Sequence, residues 1–257
     1  MNHRGIFNFT SITILAFCFC LNTMLFAQTG QKLIINNFLS DPNELETHLV
    51  ITDVDGVGPN VKVSIFNEDG RLVYEQYETL HAFGKLNYNP SDYLQKFQHG
   101  FNQQPIFKGS IHIESQGGNI AGQFWQFYKN IDNSFMDIAV PASNGEGYDK
   151  LVCQHFVSDN GIDARIIIAN AEAARQVTIV IRFYSDAGGL ISSERLTLPA
   201  NGTLAIDPHK STKGLKQTGT AYLEVIGNGK VTGEYWQKSA KEKYQIALPL
   251  EGVAKVR

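Results

Sequence analysis

The sequence predicts an all-β chain: two tandem homologous antiparallel β-sandwich (Ig-like) domains behind an N-terminal signal peptide. Three observations carry this. Short runs alternate apolar and polar residues with a period of two. Turn residues return roughly every 8–12 positions. One set of landmarks is written twice, in the same order.

The repeat is the strongest of the three. Leu33-Ile34-Ile35-Asn36-Asn37-Phe38-Leu39-Ser40-Asp41 matches Leu151-Val152-Cys153-Gln154-His155-Phe156-Val157-Ser158-Asp159. Val61–Phe66 matches Ile179–Tyr184, and Leu80, Gly84, Leu86 and Pro90 match Leu198, Gly202, Leu204 and Pro208. The only two Trp residues stand in Gly122-Gln123-Phe124-Trp125-Gln126 and Gly233-Glu234-Tyr235-Trp236-Gln237. A repeat of this length is longer than a solenoid unit and large enough for a core of its own.

Taken in order, residues 1–27 read as a secretory signal. Arg4 is followed by apolar runs, Ile12–Phe19 and Leu21–Phe26, and by Ala27 before Gln28. The apolar part falls short of the ~20 residues of a spanning helix. Export to the periplasm, cell surface or medium is expected. Cys18 and Cys20 would leave with the signal, so Cys153 would stand alone without a disulfide. The first domain is expected over 28–141, with an insertion at 91–108 that the second copy lacks. A polar, Gly-containing linker follows at 142–149, and the second domain covers 150–257. In Ile179–Tyr184, Ile179, Ile181 and Phe183 share one face. Arg165-Ile166-Ile167-Ile168-Ala169 is apolar on both faces after its first residue and reads as a central strand.

The strand before each Trp motif also recurs, as Gly109–Ser115 and Gly219–Val225. A hairpin between it and the Trp strand is expected, through Gly117-Gly118 in one copy and Gly227-Asn228-Gly229 in the other. The register that keeps Glu234 off an apolar face pairs Ile113 with Gly122 and Ile111 with Phe124. In the second copy it pairs Leu223 with Gly233 and Ala221 with Tyr235. Phe124 and Tyr235 then point inward. Trp125, His112, Glu114 and Gln123 form one outer patch, and Trp236, Tyr222, Glu224 and Glu234 form the other. An outward Trp among hydrogen-bonding side chains suits a glycan site. The competing reading covers each Trp with the other domain, the linker or the insertion. The insertion itself, with Tyr93, Phe97, Phe101 and Phe107, is a candidate interaction loop or a cap.

Other chemistry is sparse. Asp53-Val54-Asp55-Gly56 matches the start of a calcium loop but lacks its later ligands, and a solvated turn is the simpler reading. No His or Cys pair has metal spacing, so no metal and no cofactor are expected. Glu114 with Asp137, or Glu224 with Glu234, are the carboxylate pairs a glycoside hydrolase would need. The chain's net charge of −3 argues against a nucleic-acid partner.

Ile166–Ala171, Val180–Asp186, Thr197–Ala200 and Gly219–Glu224 resemble the β-sandwich family of sensory rhodopsin transducers, in the family's order. The resemblance implies the sandwich. That family works in the cytoplasm beside a membrane photoreceptor, whereas this chain carries an export signal, so no functional residue is carried over. The expected function is that of an exported, non-catalytic interaction protein, with a glycan or extracytoplasmic protein as partner. The alternatives are an assembly component with its Trp faces buried in an oligomer, and a glycoside hydrolase.

Overall fold

The computed structural model describes residues 29–41, 45–90, 94, 107–128, 137–239, 241 and 244–253. The predicted signal peptide and the predicted loop residues Tyr93, Phe97 and Phe101 lie outside these. The chain is nearly all antiparallel strand. Its first half holds β1 (Thr29–Gly30), β2 (Lys32–Ser40), β3 (Leu45–Asp53), β4 (Asn60–Asn67), β5 (Leu72–Thr79), β6 (Lys85–Tyr88), β7 (Phe107–Gln116), β8 (Ile120–Tyr128), β9 (Ile138–Pro141) and β10 (Ser143–Asn144). The second half holds β11 (Lys150–Ser158), β12 (Asp163–Asn170), β13 (Val177–Ser185), β14 (Leu190–Leu198), β15 (Thr203–Ile206), a one-turn helix α1 (Pro208–Ser211), β16 (Gln217–Ile226), β17 (Val231–Ser239), β18 (Tyr244–Pro249) and β19 (Glu251–Gly252).

The strands form four sheets. Sheet I has the order β1-β8-β3-β6, with β9 also on β8; sheet II is β10-β2-β7-β4-β5. Sheet III is β15-β12-β17-β18, and sheet IV is β14-β13-β16-β11-β19. IV repeats II strand for strand, and III repeats I except that the Tyr148–Val231 bridge stands in place of β1, so the sequence repeat is also a repeat of topology. The predicted central strand, β12, lies between β15 and β17.

Each sheet pair closes on one apolar core. Sheets I and II bury Leu33, Ile35 and Phe38 of β2, Leu49 and Ile51 of β3, Val61, Val63 and Ile65 of β4, Ile111 and Ile113 of β7, and Phe124 of β8. Leu94 and the half-buried Phe107 join this core, and Phe107 packs 5.6 Å from Phe38. Phe107 thus opens β7 instead of belonging to a loop. Sheets III and IV bury the matching set, from Leu151 and Phe156 to Leu223 and Tyr235.

Two repeated details fix the packing. A bulge falls between Ile35 and Phe38 in β2 and between Cys153 and Phe156 in β11. The extra residues reset the alternation, so that Phe38 and Phe156 turn inward like Leu33 and Leu151. The Gly that opens each Trp motif sits where the sheets press together. A Cβ on Gly233 would stand 2.8 Å from Leu250 Cδ1 and 2.9 Å from the Ile167 carbonyl oxygen.

The outer face of sheet II packs on the outer face of sheet III. Ile34 meets Ala169 and Ala171, whose small side chains let the strands approach. Ile138 and Val140 of β9 meet Ile167, Trp236 and Ala247. Asn36, thrown out by the bulge, links four segments. Its amide donates to Ser143 Oγ at 2.8 Å, its side-chain oxygen accepts from Thr232, and its carbonyl accepts from Thr203 at 3.1 Å. The β4–β5 turn seats on the turn before β15: the Thr203 N–H donates to the Glu68 carbonyl, and a Cβ on Gly70 would lie 1.9 Å from the Ala200 carbonyl oxygen. Residues 142–149 are built into this contact, with β10 on β2 and Tyr148 bridged to Val231.

Candidate functional site

The expected hairpins do not form. β7 pairs with β2 and β4 in sheet II, while β8 pairs with β3, β1 and β9 in sheet I. Likewise β16 lies in sheet IV and β17 in sheet III. The short Gly-rich connections carry the chain across the core from one sheet to the other. Gly122 therefore faces Ile51, Phe124 faces Leu49, Gly233 faces Ile168 and Tyr235 faces Ile166. The pleat direction still holds, because both strands bury one face in the shared core. Phe124 and Tyr235 are buried inside, and Trp125 and Trp236 point out of their sheet pairs.

This separates the predicted patches. His112 and Glu114 lie on sheet II, whereas Gln123 and Trp125 lie on sheet I. Tyr222 and Glu224 lie on sheet IV, whereas Glu234 and Trp236 lie on sheet III. Glu114 pairs with Lys62 at 2.7 Å. Glu224 pairs with Lys150 at 3.2 Å and Arg182 at 3.3 Å, and these two bonds hold its carboxyl below the ordinary range. Tyr222, 47% exposed, stands edge-on to Tyr184. Of the carboxylate pairs considered for glycoside hydrolysis, Glu114 lies on sheet II and Asp137 just before β9 of sheet I, and Glu224 and Glu234 come from different sheets.

Two regions gather the groups that remain. The first is the outer face of sheet I. Trp125 is half-buried between the cross-strand neighbours His48 and Ala139, and its ring stacks on Phe127 with centroids 5.9 Å apart and 8° between planes. His48 stands edge-on to Phe127 and contacts Asn87 Oδ1 at 3.3 Å. Gln123 lies on the same face, between Val50 and Pro141.

The second is a cleft of about 250 Å³ where the open end of the first sheet pair meets sheet III. Asn37, Leu39, Lys108, Gly109 and Gln126 line one side; Asp163, Arg165, Ile167, Ala205, Trp236 and Lys238 line the other. Several of its charges are paired: Arg165 binds Asp163 at 3.0 Å and Asp207 at 2.9 Å, and Lys238 binds Asp163 at 3.3 Å, while Lys108 and Glu68 add one charge of each sign to the lining. Gln126, 2% exposed, has no hydrogen-bond partner at Nε2. Leaving such a donor unpaired costs about 1–3 kcal/mol.

Glu234 lies beside Trp236, 2% exposed and close to Asn36. Burial pushes its carboxyl up to about 7, against the opposing pull of Trp236 and Asn36. His112 is buried against Phe66 with ring centroids 4.8 Å apart; burial, then Lys32 and Lys62, hold it down to about 3. Cys153 is buried and its thiol is pushed up to about 12 by burial, so it is no nucleophile at neutral pH.

In the motif Asp53-Val54-Asp55-Gly56, the Asp53 carboxylate accepts from the backbone N–H groups of Asp55, Gly56, Gly58 and Phe83. Burial raises its pKa, and these four donors more than offset that. Its oxygens are committed to the loop. No group of three or more metal-ligating side chains occurs among the described residues.

Sequence reasoning missed Gln126, Arg165 and the bulge residues Asn36 and Asn37. The signals were present: the repeated motif ends in Gln in both copies, and Asn36-Asn37 interrupts an apolar alternation.

No protein-family model and no curated protein matches the chain. Among solved structures, a Bacteroides uniformis β-glucuronidase aligns over 87% of this chain and 26% of its own, at 13% identity and a TM-score of 0.17. A Parabacteroides merdae β-glucuronidase aligns over 84% and 27%, at 13% identity and a TM-score of 0.19. The chain spans about a quarter of those proteins, and similarity at this level carries no functional argument. No helix among the described residues is long and apolar enough to cross a membrane.

Proposed function

We propose that the chain is an exported, non-catalytic interaction protein whose sheet I face, centred on Trp125, receives a protein partner. One observation carries this: the corresponding face of sheet III, centred on Trp236, is already closed by a protein surface of the same chain, β9 of sheet I over Trp236 and β2 of sheet II beside it. Trp125 occupies the same position and is left half-buried. A protein partner fits better than a glycan here, because stacking on Phe127 takes up one face of the indole that a sugar ring would use. Export rests on the N-terminal segment and its charge and hydropathy pattern.

The test is a photo-crosslinking amino acid at Gln123 in the cells that make the protein. A discrete protein adduct from position 123, absent from an equivalent probe at Thr197 on the edge strand β14, supports the reading. No adduct from positions 123, 48 or 87 would sink it.

The second reading makes the partner another copy of this chain. The outer face of sheet IV repeats that of sheet II and carries the exposed Tyr222 with Tyr184. It is therefore a candidate cover for sheet I of a neighbour. An adduct at twice the chain mass, with sedimentation that depends on concentration and is lost in Trp125→Ala, supports this. A strict monomer at high concentration refutes it.

A further inference from the structure

The repeated Gln at the end of the Trp motif behaves differently in the two copies. Gln237 accepts from the Tyr235 hydroxyl at 2.8 Å, and its amide donates to Tyr244. In the first copy Phe124 stands where Tyr235 does and brings no hydroxyl. Gln126 keeps the amide, buried, with Nε2 unpartnered and lining the cleft between the first sheet pair and sheet III.

We infer that this cleft binds a neutral saccharide, of about one ring, with Gln126 as a hydrogen-bond donor and Trp236, Ile167 and Leu39 as the apolar wall. The class follows from what the cleft offers and what it has already used. Arg165 is shared between Asp163 and Asp207, Lys238 also pairs with Asp163, and the other charged residues of the lining, Lys108 and Glu68, are one of each sign, so the cleft carries no excess charge for an anionic ligand. What remains is an unsatisfied amide donor, the Asn37 amide, and apolar surface from Leu39, Ile167, Ala205 and Trp236. A ligand that accepts hydrogen bonds around its rim and presents C–H groups on its flat side satisfies both. The volume, about 250 Å³, lies just below the range for drug-sized ligands and suits one ring. This site is separate from the Trp125 face, and neither depends on the other.

The two indoles allow the sites to be read independently. In the mature chain labelled with 15N-tryptophan, the two indole N–H resonances are assigned with Trp125→Phe. Glucose, galactose, mannose, N-acetylglucosamine and cellobiose are then titrated to tens of millimolar. The Trp236 resonance is expected to shift saturably with at least one of them, while that of Trp125 stays in place. Gln126→Leu, of similar volume, should weaken that binding at least tenfold. Ala205→Leu, which fills the cleft from an exposed strand position without touching an internal hydrogen bond, should abolish it. The inference is overturned if no neutral sugar moves the Trp236 resonance. It is also overturned if only glucuronate or phosphate does, or if both variants bind like the parent. A shift at Trp125 alone would likewise overturn it.

Discussion

At the residue scale, Glu234 and His112 bury opposite proton demands. Glu234 holds its proton up to about pH 7 in the folded chain, against 4.5 unfolded. Its contribution is complete below 4.5 and is lost as pH rises through 7. His112 stays neutral down to about pH 3, against 6.5 unfolded, so its environment costs stability as pH falls below 6.5. Between 4.5 and 6.5 folding takes up one proton and releases another, and the two slopes cancel. The parent should therefore show a nearly flat stability across that window. Glu234→Gln should unmask His112: stability then rises with pH by up to about 1.4 kcal/mol per unit. Urea titrations between pH 4.5 and 7 check this, and a flat profile in the variant would refute it. Asp53 gives a second prediction. Asp53→Ala leaves four backbone donors without their shared acceptor and should lower the Tm. Calcium should leave the Tm of the parent unchanged.

At the element scale, the Trp strand explains its own sequence. The inward Gly is small because the opposite sheet presses on it. Gly233→Val should cost about 1–3 kcal/mol through overpacking against Leu250. Phe124→Ala, which empties a site packed edge-on against Phe38, should cost about 3–5 kcal/mol by denaturation. This element also marks where sequence stopped being legible. Period two decided which side chains face the core, and that reading survived the loss of the hairpins. Strand neighbours did not follow, because a Gly-rich connection that folds a strand back beside its predecessor has the same composition as one that crosses to the facing sheet. Glu234 does stay off the apolar core, but across from Ile167 of β12 and not from any residue of β16.

At the scale of the whole molecule, the all-β class and the repeat were readable because burial patterns and turns are local. The candidate sites were not, because they depend on which outer faces meet. One clue lay in plain view: Ile34 beside Ile35 and Ile167 between Ile166 and Ile168 make strands apolar on both sides, and the second side needed a cover. The contact that provides it depends on the Gly70 turn. Gly70→Ala brings a Cβ within 1.9 Å of the Ala200 oxygen, at a φ of 76° that disfavours any side chain. In a Trp125→Phe background, this change should make Trp236 accessible to acrylamide while circular dichroism keeps its strand signature. An unchanged quenching constant would refute the role given to that turn.

The contact between sheets II and III joins unlike faces of equivalent units, so the operation relating one unit to the next cannot be a two-fold axis. Used once inside the chain, it leaves one face of each kind unspent, at opposite ends. Such an operation is directional, and its repetition closes into a ring or winds into an open filament, according to its rotation alone. A third unit spliced after Gly252 would meet a prepared seat on sheet IV. A chain shortened to its first unit would instead expose Ile34 and Asn36, and with them an apolar surface whose natural cover had been removed.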